Sequence, residues 1–392
     1  MDSPFIYDTF VTGKNFIGRK SEVTALSNML SAGENVAIYE PPKTGKHSLI
    51  QQALFNMRMS RFQFISCEMS VMGSRTVPEF LIKFASTVMR ACASTAFEYS
   101  AIVANHLKDS HFVFDQQRFS DYGELVSLNW DIEDSDIRAA FMLPYKLAAE
   151  MDQPLIVILD DFQWAARLDD GGRLLRFLDD VLRITQQTPK PKCSFLMCGS
   201  EANAMAVIFE KTRFFYKTVV RLPLKPFDGK DIIDAVVKGF LASGKVAEKE
   251  QLTAVCNLFK NHFWYINHFA SICDYLSKGF ISTPVLMDSL SIMIAIHEPR
   301  FKSIMSDLTN FQISFLKAII EGHVRFSTAD VINRYTLNSS ANVKRVKDAL
   351  IKKEIVIFDE KDHPRVVDPL FEYWVTKYYF GLKPRGEDDL DF

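Results

Sequence analysis

The sequence predicts an α/β protein: a parallel sheet with helices on both faces, then an all-helical segment, then a small domain of helices closed by a β-hairpin. Three observations predict it. Continuous apolar runs (VAIY at residues 36–39, PLIVILDD at 154–161, CSFLMCGS at 193–200) alternate with helical patterns, and a strand buried on both faces reads as an unbroken apolar run. After Pro226 such runs stop, and residues 229–297 carry helical periodicity with breaks at Ser243-Gly244 and Gly279. From Leu308 two or three helices lead into KKEIVIFDEKDHPRVVD, which reads as a hairpin with Asp359 to His363 at its tip. Helices followed by a hairpin suggest a winged helix-turn-helix.

In chain order, VAIY is a buried strand and residues 48–59 the helix after it. RFQFISCE (61–68) is a second strand, and residues 77–93 a long helix. Residues 97–133 carry a weaker pattern of helix and loop. PLIVILDD, CSFLMCGS and VVRLP (219–223) complete the sheet. The expected division is a core at 1–228, a helical lid at 229–304, a winged helix at 305–381 and an acidic tail at 382–392.

Composition narrows the function classes. A net charge of −2 removes any global basic field, so a nucleic-acid site must be local. The six cysteines form no C-x-x-C pair and read as reduced thiols of a cytoplasmic protein. No run approaches about 18 apolar residues and the N-terminus lacks a basic, then apolar leader, so neither a membrane span nor a signal peptide is expected.

The stretch EPPKTGKHSLI (40–50) has the frame of a phosphate-binding loop, G-x-x-x-x-G-K-[ST], between a strand and a helix. Such loops wrap phosphates with backbone N–H groups at a helix N-terminus. Pro42, Lys43, Thr44, Gly45, Lys46, His47 and Ser48 are the candidate nucleotide contacts. Gly45 supplies the tight turn and Lys46 the charge for the β- and γ-phosphates. Two positions depart from the frame. Glu40 replaces the first glycine; facing the loop it repels phosphate, facing out it costs little. His47 replaces the hydroxyl that would bind Mg²⁺, an ion that prefers oxygen ligands. Pro41 and Pro42 stiffen the loop and remove two N–H donors.

The run LIVILDD ends in two carboxylates. Asp160 suits the Mg²⁺ shell, through water, and Asp161 suits orienting an attacking water. A helix N-cap is the plain alternative for the pair. Ser200, after the next strand, is a candidate γ-phosphate contact and equally a turn serine.

Together these motifs resemble a STAND-type P-loop ATPase of the AAA+ superfamily, close to the archaeal-type ATPase family also common in bacteria. The resemblance runs from about Phe10 to Phe380. It rests on the box Phe16, Gly18, Arg19, Glu22 ahead of the loop, on Asp160-Asp161-Phe162-Gln163, on Gly199-Ser200, and on FFYKTVVRLPLKPF (214–227). It also rests on NHFWYINHF (261–269) in the lid and on LTNFQISFLKAIIEG, SSANVKRVKDALIKKEIV and DPLFEYW in the winged helix. The resemblance implies ATP or ADP as ligand, with Gly18 and Arg19 near the adenine. It places Lys217 at the arginine-finger position, with Arg213 and Arg221 as neighbours able to substitute, and Phe263 where proline is common. Lysine keeps the charge but loses the bidentate fork, and a finger is worth about 10³–10⁵ in rate. The expectation is therefore a nucleotide-dependent switch with weak or absent hydrolysis. A DNA-binding regulator on an inactive scaffold and a working ATPase with an unusual loop are the alternatives. The lid or winged helix would meet a protein partner, and the family allows oligomers.

Residues 342–354 read as the recognition helix, with Val343, Val346, Leu350 and Ile351 as its buried stripe and Ser339 or Ser340 as its cap. Lys344, Arg345 and Lys347 lie off that stripe and are the nucleic-acid candidates, with Lys361 and Arg365 on the wing. Basic residues also belong to any solvated helix face, and the wing tip DEKDH is acidic. DNA contact is the lesser expectation.

Overall fold

The computed structural model describes residues 3–187, 192–212 and 214–384. The expected acidic tail falls largely outside these residues, and so does Arg213. The chain forms two compact bodies. One comprises Lys20–Pro42 and Lys46–Leu224; the other comprises Met1–Arg19, Lys43–Gly45 and Lys225–Phe392.

The first body opens with α1 (Lys20–Ser31), β1 (Val36–Tyr39), α2 (Lys46–Met59) and β2 (Ile65–Ser70). Then come α3 (Val77–Cys92), α4 (Ala96–His106), β3 (Phe112–Val113), α5 (Gln116–Tyr122), β4 (Ser127–Leu128) and α6 (Asp134–Glu150). It closes with β5 (Leu155–Asp160), α7 (Gly171–Thr185), β6 (Cys193–Gly199), α8 (Ala202–Ala206) and β7 (Val220–Arg221). Five strands form one parallel sheet in the order β2-β5-β6-β1-β7. Every residue of β1 and β6 is buried, which is why their sequences carry no polar alternation. Phe84 packs between Phe141 and Phe195, with ring centroids 5.3 and 6.2 Å away. The weakly patterned stretch before α6 holds α4 and then α5, the latter lying between the antiparallel partners β3 and β4.

A buried carboxylate fixes the turn into β3. Asp136 is fully buried and accepts from His111 N at 2.6 Å, His111 Nδ1 at 3.0 Å and Glu133 N at 2.7 Å. Burial alone would raise its pKa, but the bonds from Glu133 and His111 hold it below the ordinary carboxylate value. Its contribution is thus present above pH 3.8 and lost as pH falls through the lower folded value. Asp136→Asn is expected to cost about 2 kcal/mol, because an amide nitrogen would face a backbone N–H. Urea unfolding at neutral pH measures this, and the gap between the two proteins should close in acid.

The second body contains α9 (Gly229–Ala242), β8 (Val246–Ala247), α10 (Lys249–Leu258), α11 (Phe263–Leu276), β9 (Phe280–Ile281) and α12 (Thr283–Ser306). It continues with α13 (Asn310–Ile320), α14 (Ala329–Arg334), α15 (Ser340–Lys352), β10 (Val356–Phe358), β11 (Pro364–Val366) and α16 (Pro369–Trp374). The expected all-helical lid carries one short parallel pair, β8 with β9. The predicted wing is present: β10 and β11 pair antiparallel, and Asp359 N donates to His363 O across the tip.

Residues 3–19, which the sequence reading gave to the core, pack in this second body instead. Phe5 is buried against Phe240 at 4.8 Å. Trp264 Nε1 donates to Tyr7 O at 2.6 Å, Asn267 Nδ2 donates to Ile6 O, and the Tyr7 ring stacks on His268 at 4.1 Å. Contacts between residues so far apart in sequence, 257 and 261 positions for the two hydrogen bonds, leave no local pattern, so periodicity could not reveal them. Among the described residues no helix is long and apolar enough to cross a membrane.

Candidate functional site

In the first body, parallel pairing brings the carboxyl ends of β1, β2, β5 and β6 to one edge of the sheet, where α/β sheets bind ligands. Lys46 opens α2 there. Its ammonium donates to Glu40 O at 2.7 Å and Pro41 O at 2.8 Å. Burial pushes its pKa down to about 8, against the pull of Asp160, Glu40 and Asp161. Glu40 spends its carboxylate away from the loop: Oε1 accepts from Leu224 N at 3.2 Å and lies 4.0 Å from Arg221. Of the two orientations open in the sequence, the harmless one is found. Arg221 also pairs with Glu210 at 2.5 Å and covers the Tyr39 ring.

Asp160 and Asp161 stand at the end of β5. Asp160 Oδ1 accepts from Asp161 N at 2.9 Å. Asp161 has left-handed backbone (φ 52°), and its carboxylate accepts from Ser70 Oγ at 3.1 Å and Gln163 Nε2 at 3.4 Å. Gln163 is buried, and a Cβ on Gly199 would lie 2.4 Å from its Oε1. That crowding explains the glycine before Ser200, which is half-buried at the same edge. His47 Nδ1 lies 3.4 Å from Glu68 Oε1, and Ser48 follows half-buried on α2, with Pro42 exposed ahead of the helix.

Lys217 is not brought to this edge of its own chain. It is exposed, in a turn before β7 whose carbonyls accept from Gln186 at the end of α7. Thr218 O also accepts from Asn35, just ahead of β1. This is the amino-end edge of the sheet, opposite the loop.

The second body holds residues 43–45 and the box before α1. Arg19 Nη1 donates to Thr44 O at 2.6 Å, and its guanidinium covers the Phe227 ring at 4.2 Å. A Cβ on Gly18 would sit 3.3 Å from that ring. Gly45 has φ 87°, where only glycine is unstrained. Lys43 places its ammonium 3.5 Å from the centre of the Trp264 ring, and burial with Arg300 nearby lowers its pKa to about 8. On α15, Ser339 is the cap, accepting from Asn342 N. Lys344 and Arg345 are exposed, but Lys347 is consumed by Asp362 of the wing and lies over the Phe358 ring.

In the first body, β1, the N-terminus of α2 with Lys46 and the two carboxylates ending β5 share one edge of the parallel sheet. The fold is that of a P-loop NTPase. The Walker-type ATPase PABY2304 of Pyrococcus abyssi superposes with a TM-score of 0.63 at 14% identity, covering 94% of this chain and 98% of that one. The ORC2 protein of Aeropyrum pernix, in its ADPNP–ADP complexes, gives 0.58 at 13% identity over 97% and 95%. At such identity the likeness is one of architecture. Residues 299–377 match a family described as a probable winged helix domain, starting inside α12. A search of curated protein sequences finds no match.

The donor set at this sheet edge suits a phosphate group but not Mg²⁺. Lys46 and the amides opening α2 suit an anion. At the metal position stands an imidazole nitrogen facing a carboxylate, where Mg²⁺ takes near-ideal octahedral oxygen ligands. Glu68 escaped the sequence reading; a lone acid within a mostly apolar strand was its only signal.

Proposed function

We propose that the protein is an AAA+/STAND-like nucleotide-dependent switch that binds ATP or ADP with weak or absent hydrolysis. One contrast carries this reading: Lys46 keeps its place at the opening of α2, while the hydroxyl position beside it is His47, turned to Glu68. Phosphate affinity comes from the former and metal-assisted turnover from the latter. Lys217, at the far edge of the sheet, supplies no charge to its own chain's phosphates. The arrangement of lid and winged helix, joined through Asp368, is the element a bound nucleotide would bias.

Titration of the purified protein with labelled ATP and ADP tests this, with Mg²⁺ and with EDTA. Comparable binding in both media is expected, with phosphate release at least about 10³-fold slower than in an enzyme with a working finger. No affinity in either medium overturns the proposal.

A further inference from the structure

We propose that His47, Glu68 and Asp160 form a binding site for a divalent transition-metal ion of the Zn²⁺ class. One ligand atom from each lies within 4.8 Å of the other two. They come from three separate elements, α2, β2 and β5, and the pairing of β2 with β5 (Glu68 opposite Ile158, Ser70 opposite Asp160) sets Glu68 and Asp160 on the same face of neighbouring strands. The His47 Nδ1 to Glu68 Oε1 distance is 3.4 Å. Two ligands each ~2.1 Å from a tetrahedral ion lie about 3.4 Å apart. The outer partners are also in place. Glu68 Oε2 accepts from Gln51 Nε2 at 3.3 Å, leaving Oε1 toward His47. Asp160 Oδ1 accepts from Asp161 N, which orients the carboxylate. Such second bonds fix the orientation of ligating groups.

The chemistry selects the metal. One imidazole and two carboxylates suit Zn²⁺, Co²⁺ or Mn²⁺ and give a neutral site with a divalent ion, whereas an imidazole is a poor ligand for Mg²⁺. Three protein ligands leave one position open for water or an anion oxygen. His47, which breaks the phosphate-loop frame, thereby becomes the ligand that changes the metal. The site needs no nucleotide, so its test stands apart from the proposed function.

The experiment is competition of nucleotide-free full-length protein with a chromophoric chelator for Zn²⁺, together with the visible absorption of bound Co²⁺. One ion per chain is expected, unaffected by millimolar Mg²⁺. His47→Ala and Glu68→Ala should each weaken it at least tenfold and abolish the Co²⁺ bands. Both side chains are more than one-third exposed, so both variants should fold, and circular dichroism checks it. His47→Ser should lose Zn²⁺ in favour of Mg²⁺. Absence of Zn²⁺ binding, or binding that both alanine variants retain, overturns the proposal and leaves the His47–Glu68 contact a side-chain contact only.

Discussion

Lys46→Ala is expected to lower ATP and ADP affinity about a hundredfold, ~2.8 kcal/mol, while leaving the protein folded. A charge-assisted bond to phosphate is worth about 1.5–3 kcal/mol, and Lys46 is the ammonium that opens the helix of the loop. The variant should not melt early. Burial holds the ammonium near a pKa of 8, well below its ordinary 10.5. The charged form is therefore disfavoured by the fold, and removing it relieves a cost. Lys46→Met, which keeps the stem, should match or exceed the parent melting temperature at pH 7. The loss should fall on both nucleotides, since both carry the β-phosphate the lysine would reach, and more on ATP, which adds the γ-phosphate. Calorimetric titration of the three proteins measures it; unchanged affinity in Lys46→Ala would place nucleotide elsewhere.

Asp368→Ala is expected to destabilise the second body by about 3 kcal/mol. Asp368 caps α16, Oδ1 accepting from Leu370 N at 3.0 Å and Phe371 N at 3.1 Å. Oδ2 accepts from the Tyr265 hydroxyl at 2.7 Å and from Arg300. A lost cap costs about 1 kcal/mol, and a buried hydroxyl left without its acceptor about 1–3. Arg300 is half-exposed, so its ion pair adds under about 1 kcal/mol. Asp368→Asn keeps the cap and should cost less than half as much. Burial would raise the Asp368 pKa, but Arg300, Tyr265 and the Phe371 amide hold it below 3.8. The contribution is therefore complete above that value and fades as pH falls through the lower folded one. Thermal melting at pH 7 and pH 3 checks both parts: the variants should differ from the parent at the first, and the gap should narrow at the second. A drop near 1 kcal/mol in Asp368→Ala would leave the cap as its whole role.

Much of the fold was legible because burial on both faces writes itself into sequence. β1, β5 and β6 are unbroken apolar runs, and the strand-loop-helix setting of Gly45 and Lys46 follows from where VAIY ends. The wing was legible from an alternating run interrupted by five polar residues. What escaped depends on contacts between distant segments. Glu68 meets His47 and Asp160 only after β2 has paired with β5. Lys43 finds Trp264 through the face of a ring, which has no spacing rule. Lys217 looked well placed by its neighbours in sequence, yet a two-residue strand separates it from the loop edge.

The docking of residues 3–19 bears on how the chain is made. Tyr7 and Ile6 accept bonds from residues 257 and 261 positions downstream. At about 5–20 residues per second, the ribosome needs roughly 13–50 s to deliver those partners. The parallel sheet, complete by β7, can form first while the N-terminal strap waits with Phe5 exposed. Shortening the chain at its start would therefore damage the portion synthesised last.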